Sequence, residues 1–256
     1  MKKTYGSSKK YSFFLCLFSV CLFFVNVSCG LDVLSIVLEE SDNVTRSERP
    51  TIESEYLTRT FEFSTHTVTD PYSFGRTYIY YKIYNSSSLL ESEVNSLTNQ
   101  AADSSKKYNS ANTMMSSTYE YKPLYIKTQN GDKENSSGLE LENAAHEIKI
   151  RLTTYGDATE EYTAGIWIDG EKKGEPVRVV NSNPFDFGRS SEYVPLSGQE
   201  DTKNFTENKD ETASDYNVFY VALFAYFMLL DDNYTPIYSP IAHLGSVKID
   251  ATTDLN

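Results

Sequence analysis

The chain has 256 residues, with 36 acidic against 23 basic side chains and a net charge of −13. Residues 1–28 hold four of the lysines and no acid, so the remaining 228 residues carry 19 basic and 36 acidic side chains, a net charge of −17. A surface of that sign repels phosphate backbones and anionic headgroups, which argues against a nucleic-acid partner and against lying flat on a membrane. The length allows one large domain, or one domain with insertions, that buries a core without covalent staples.

At the N-terminus, Lys2, Lys3, Lys9 and Lys10 precede Phe13–Val25, thirteen residues with only Ser19 polar, and Asn26-Val27-Ser28-Cys29-Gly30 closes the stretch. A basic segment, an apolar segment and a small residue before a cut are the parts of an export signal. A membrane-spanning helix needs about twenty apolar residues, so that reading has to draw in Tyr11, Ser12 and Asn26. A plain cleaved signal fits the length. A lipoprotein signal fits both the length and the place of the cysteine. Val27, Ser28 and Cys29 resemble the bacterial lipobox, with Asn26 departing where Leu is commonest, and spirochaetes use a looser form. The resemblance implies a signal helix over 1–28 and a diacylglycerol with further acyl chains such as palmitate on Cys29. It also implies a membrane partner reached through that lipid. Each buried methylene of such chains contributes about 0.8 kcal/mol to anchoring. Cys16 and Cys21 leave with the signal, so the folded part has no thiol for a disulfide or a nucleophile.

Residues 29–54 are expected to form the lipidated terminus and a tether, with Leu31–Glu39 as a first strand or an edge-pairing tether. Residues 55–256 form the main domain, with insertions at 88–117 and 197–215. Glu55–Val68 reads as a strand, with Leu57, Phe61 and Phe63 on one face. Arg76–Tyr84 alternates clearly, with Ile79, Tyr81 and Ile83 one way and Tyr78, Tyr80 and Lys82 the other. Ser88-Leu89-Leu90-Glu91 has the form of a capping box. Leu90, Val94, Leu97 and Ala101 follow at helical spacing, predicting a helix from Leu89 to Ala102 that covers the sheet or binds a partner.

Tyr119–Lys127 contains Pro123, so it is expected at an edge or bulge. Gln129–Gly138 holds an Asn130-Gly131 turn. His146–Thr153 alternates, with Ile148, Ile150 and Leu152 inward and Lys149 and Arg151 outward. Ala164–Ile168 and Val177–Val180 flank a hairpin loop at Asp169–Gly174. Ser197–Asp215 is acidic and aperiodic, expected as a long mobile loop or linker. Val218–Leu230 is apolar on both faces, as in a central strand under a cover, with a buried helix as the alternative. Ala242–Ile249 reads as the last strand, with a bulge at Gly245.

About seven to nine short strands separated by turns, with one inserted helix, argue for a β-sandwich. The strand after Gly75 and the Phe219-x-Val-x-Leu-x-Ala225 strand, followed by Tyr238-Ser239-Pro240 and a last strand, resemble an immunoglobulin or fibronectin type III module. The usual Trp of the second strand is absent, with Phe61 or Phe63 there, and Phe219 stands at the corner tyrosine's place. Together with the lipobox, Tyr78–Tyr84 and the ending 238–249 resemble spirochaetal lipoproteins of unknown function. That resemblance implies a lipid-anchored outer-membrane address, at the cell surface or the periplasmic face. Gly30 after Cys29 agrees with release to the outer membrane. The sequons at Asn43, Asn85, Asn135, Asn204 and Asn233 then mark only polar loops.

No nucleophile elbow, phosphate loop or dinucleotide fingerprint occurs, and His146-Glu147 lacks the second His that a helical zinc site needs. No catalytic residue, metal site or cofactor is expected. Asp231-Asp232-Asn233 lacks the ligand spacing of a calcium loop. The expected function is a non-catalytic binding or structural domain for a protein or carbohydrate ligand, with Tyr78, Tyr80 and Trp167 as candidate contact aromatics. The alternative is a carbohydrate-active or other hydrolase on the same fold, which requires a pocket with converged carboxylates.

Overall fold

Thirteen strands and one α-helix make up the computed structural model, which describes residues 60–67, 75–102, 112–127, 133–134, 138–154, 163–205, 211–212, 216–230, 234, 236–239 and 241–251. The signal segment, Cys29, Leu31–Glu39, Leu57, the Asn130-Gly131 turn and Asp231-Asp232-Asn233 lie outside the described residues. In chain order the elements are β1 (Phe61–Thr65), β2 (Arg76–Tyr84), α1 (Ser87–Ala102), a π-helical turn (Met114–Thr118), β3 (Lys122–Pro123), β4 (Tyr125–Lys127), β5 (Lys133–Glu134), β6 (Glu140–Glu142) and β7 (His146–Arg151). They continue as β8 (Gly165–Ile168), β9 (Glu171–Val177), β10 (Glu211–Thr212), β11 (Tyr216–Leu230), β12 (Pro236–Tyr238) and β13 (Ala242–Asp250).

The strands form two antiparallel sheets packed as a sandwich. One runs β1-β7-β8-β9-β4-β5; the other is built on β11, which pairs β2 along one side and β13 along the other. Phe61, Phe63, Ile148, Ile150 and Ile166 from the first sheet meet Ile79, Tyr81, Ile83, Val221 and Leu223 from the second in one core. Each such side chain withdrawn from water contributes about 1.5–3 kcal/mol. The two-residue period read along β2 and β11 is therefore the partition between core and outer face.

Val218–Leu230 lies within the β11 strand. Its second face carries Tyr220, Ala222, Phe224 and Tyr226, buried with Leu90, Leu97 and Met115. The cover is α1 and the π-helical turn, which is why both faces of this strand are apolar. The helix begins at Ser87, earlier than the capping box at Ser88 implies, because Ser86 Oγ accepts from the Leu89 amide at 3.5 Å.

Four further local expectations change. Tyr119–Lys127 is not one strand: Lys122 and Pro123 pair with β2, and Tyr125–Lys127 pairs with β9 in the opposite sheet. The chain crosses at Leu124, whose amide bonds Ile79 O at 2.9 Å. The hairpin loop is Asp169-Gly170 alone, with φ of 54° and 79°, and Glu171–Gly174 are already strand. Arg151 is buried rather than outward. Residues 197–205 are tight turns rather than a mobile loop, because Asp201 and Thr202 are fully buried. The bulge expected at Gly245 is present, where Leu223 pairs Gly245, Phe224 pairs His243 and Leu244 is extra.

Candidate functional site

The outer face of the β11 sheet carries a tyrosine strip where the helical cover ends. Antiparallel register puts Tyr78 of β2 opposite Tyr226 of β11, and Met228 opposite Tyr238 of β12. The Tyr226 ring stacks on Tyr78 at 5.5 Å and 24°, lies 5.5 Å from Tyr80, and meets Tyr238 edge-on at 5.7 Å. Such pairs add about 0.5–1.5 kcal/mol each beyond their buried area. Tyr226 is buried under the others and its hydroxyl donates to Tyr80 Oη at 3.4 Å. Tyr78, Tyr80 and Tyr238 stay partly open.

Burial pushes the Tyr226 phenol far above its usual range, with the Tyr80 hydroxyl adding to the shift. Burial also raises Tyr78, followed by the Glu140 carboxylate at the strip's margin. Glu140 faces Arg76 at 3.8 Å. The strip is an aromatic platform with one ion pair at its rim.

The strip unites two of the three candidate aromatics. Trp167 stands on β8 in the other sheet. It pairs directly with Lys149 and Lys172, whose ammonium groups lie 5.8 and 5.5 Å from its ring. The ring lies along Gly165, where a Cβ would come within 2.5 Å of it. Tyr226 was missed because a tyrosine in an apolar run reads as core, and Tyr238 because it reads as part of a turn; only the pairing of β11 with β2 and with β12 shows that they join the strip.

The three histidines do not converge. His66 is exposed. His146 Nδ1 lies 2.7 Å from Asp169, whose carboxyl is held below its usual value first by that contact and then by the Glu147 amide. His243 sits 4.7 Å from the Phe224 ring. It lines a groove of 170 Å³ beside Leu90 and Val94 of α1, with Tyr220 and Val247, and with Glu91 as the one carboxylate among the described residues that line it. Among the described residues no group of three His, Cys, Asp or Glu side chains is placed to hold a metal, and no helix is long and apolar enough to cross a membrane.

Two buried polar clusters hold the framework behind the strip. Arg178 and Asp201 are both fully buried, with Nε and Nη2 each donating to the carboxylate at 2.8 Å. Tyr81 Oη donates to Asp201 at 2.8 Å and accepts from the Val179 amide at 2.7 Å. On the outer face, Lys82 Nζ donates to Glu93 Oε2 at 2.7 Å, and Asn204 Nδ2 donates to Glu93 Oε1 at 2.7 Å. Tyr84 Oη also donates to Glu93 at 2.9 Å and lies 2.6 Å from Tyr121 Oη. Burial pushes the Lys82 ammonium down, against the pull of its Glu93 hydrogen bond. No protein-family model, no curated protein and no solved structure matches the chain, so any reading of function rests on the strip and these clusters.

Proposed function

We propose that this chain is an outer-membrane lipoprotein, anchored through lipid on Cys29, whose non-catalytic β-sandwich binds a protein or carbohydrate ligand through the tyrosine strip. The carrying observation is the platform itself. Partly open Tyr78, Tyr80 and Tyr238 packed on a buried Tyr226 offer a large contact area at little entropic cost, because the rings are already immobilised. Trp167, clamped between two lysines on the other sheet, is a secondary contact at most.

The finer reading of the sandwich is an immunoglobulin or fibronectin type III module. The pairings β1 with β7, β2 with β11 and β11 with β13 support it. They are the pairs that the second and fifth, third and sixth, and sixth and seventh strands make in that fold. In that assignment α1 and β3–β6 are insertions between the third and fifth strands, β8–β10 between the fifth and sixth, and β12 between the sixth and seventh.

The test is binding by the Cys29→Ala chain to a glycan array and to isolated envelope proteins, beside its Tyr78→Ser/Tyr80→Ser variant. A ligand retained by the first and lost by the second, with the fold intact, supports the strip. Equal retention by both rules it out. Radiolabelled palmitate incorporated by the native chain and not by Cys29→Ala tests the anchor; protease added to intact cells separates the surface from the periplasmic face.

A further inference from the structure

Glu93 does more than neutralise a lysine. Its Oε2 accepts from Lys82 Nζ at 2.7 Å and from the Tyr84 hydroxyl at 2.9 Å, and its Oε1 accepts from the Asn204 carboxamide at 2.7 Å. All three groups are held in place. Lys82 and Glu93 side chains are 1% and 6% exposed. The ammonium is walled by the rings of Tyr84, Tyr119 and Tyr121, at 5.1, 5.8 and 5.8 Å. The turn carrying Asn204 is tied to β2 beside the lysine, since the Ile83 amide donates to Asp201 O at 3.1 Å. Phe205 then stacks on Phe219 at 5.9 Å.

We propose that Lys82 and Asn204 become joined by an amide bond, with Glu93 as the proton carrier. Glu93 takes a proton from the Lys82 ammonium, which frees the amine lone pair to attack Asn204 Cγ. The Nζ–Cγ bond forms. Glu93 returns that proton to Nδ2 of the tetrahedral intermediate, the Cγ–Nδ2 bond breaks and ammonia leaves, while the carboxylate takes the second proton from Nζ so that a neutral amide remains. Neither an oxidant nor an outside reactant is needed. The surroundings favour the step: removal from water weakens the hold of the ammonium on its proton, and the aromatic wall shields the amine. Holding amine, acid and amide together also replaces an encounter with an intramolecular reaction.

The product would tie β2 to the turn before β11, residues 122 positions apart in a folded part without cysteine. A link of that span restricts the unfolded chain as a disulfide does, and no reductant opens it.

Tryptic mass spectrometry of the full chain is the test. Trypsin cuts after Arg76 and Lys203 but not after an acylated Lys82, so the link joins peptide 77–106 to peptide 204–209. The expected result is that branched peptide, lighter by one ammonia than its parts, in the native chain and missing from Glu93→Gln and Asn204→Ala. Recovery of free 77–82 and 204–209 from the native chain overturns the proposal, whether or not ammonia is lost elsewhere. A link that persists in a folded Glu93→Gln chain overturns the role of Glu93. The native digest is decisive alone, so the bond is tested even where a variant does not fold.

Discussion

Replacing Asp201 by Asn removes one charge from the centre of the sandwich while keeping the shape. Arg178 and Asp201 side chains are 0% exposed, so the guanidinium left behind has no water to turn to. In the native protein it makes two bonds to the carboxylate, one to Tyr193 O at 3.0 Å and one to Gln199 Oε1 at 2.6 Å. An Asn keeps one acceptor but points an N–H group at the guanidinium. Breaking a buried pair on one side costs about 3–5 kcal/mol, against at most about 1 for a surface pair. The assay is equilibrium urea unfolding of the Cys29→Ala chain and its Asp201→Asn derivative, with the denaturant slope checked for constancy. Arg178→Met, Asp201→Leu and the double variant form the control cycle. Removing both charges should cost less than the sum of the singles, with a coupling of about 2–3 kcal/mol. A loss below about 1 kcal/mol for Asp201→Asn, or additive singles, would refute the claim that this pair pins residues 197–205.

Three further outcomes are expected. Leu97→Ala empties a fully buried site between α1 and the β11 sheet and should cost about 2–5 kcal/mol in the same urea assay. Gly174→Ala sets a Cβ 2.5 Å from Lys127 O, where backbone has to move, and should lower stability by about 1–3 kcal/mol. The Asp186 carboxyl is raised above 3.8, first by burial, against the opposing Thr154 amide and Arg189. A raised folded pKa contributes stability that is complete below the unfolded value and is lost as pH climbs through the folded one. Stability measured from pH 3.8 upward should therefore fall through that step, and Asp186→Asn should flatten it; an unchanged slope contradicts the assignment.

The elements that were legible are those whose signal is local. Alternation in 76–84 and 218–230 separates core from outer face, because a strand turns successive side chains to opposite sides whatever lies beyond them. Phe61 and Phe63, the helix stripe at Leu90 and Leu97, and the Gly245 bulge are of the same kind. Elements that depend on a distant partner were not legible. Lys122–Lys127 divides between two sheets because Ile79 and Val177 offer edges on either side of Leu124. Residues 197–205 look like solvated acid by composition and are ordered by Arg178, the residue just past the end of β9.

By itself, then, the amino-acid sequence determined the two-faced strands, the amphipathic helix and the absence of cysteine after residue 29, since each follows from side-chain period or composition. Only the tertiary structure decided which strands meet, that Tyr226 and Tyr238 join Tyr78 and Tyr80, and that Trp167 stands apart. It alone brought Lys82 and Asn204 to the Glu93 carboxylate. Those are contacts between residues distant in the chain, and strand register and helix docking set them by burying apolar surface that no local pattern can count.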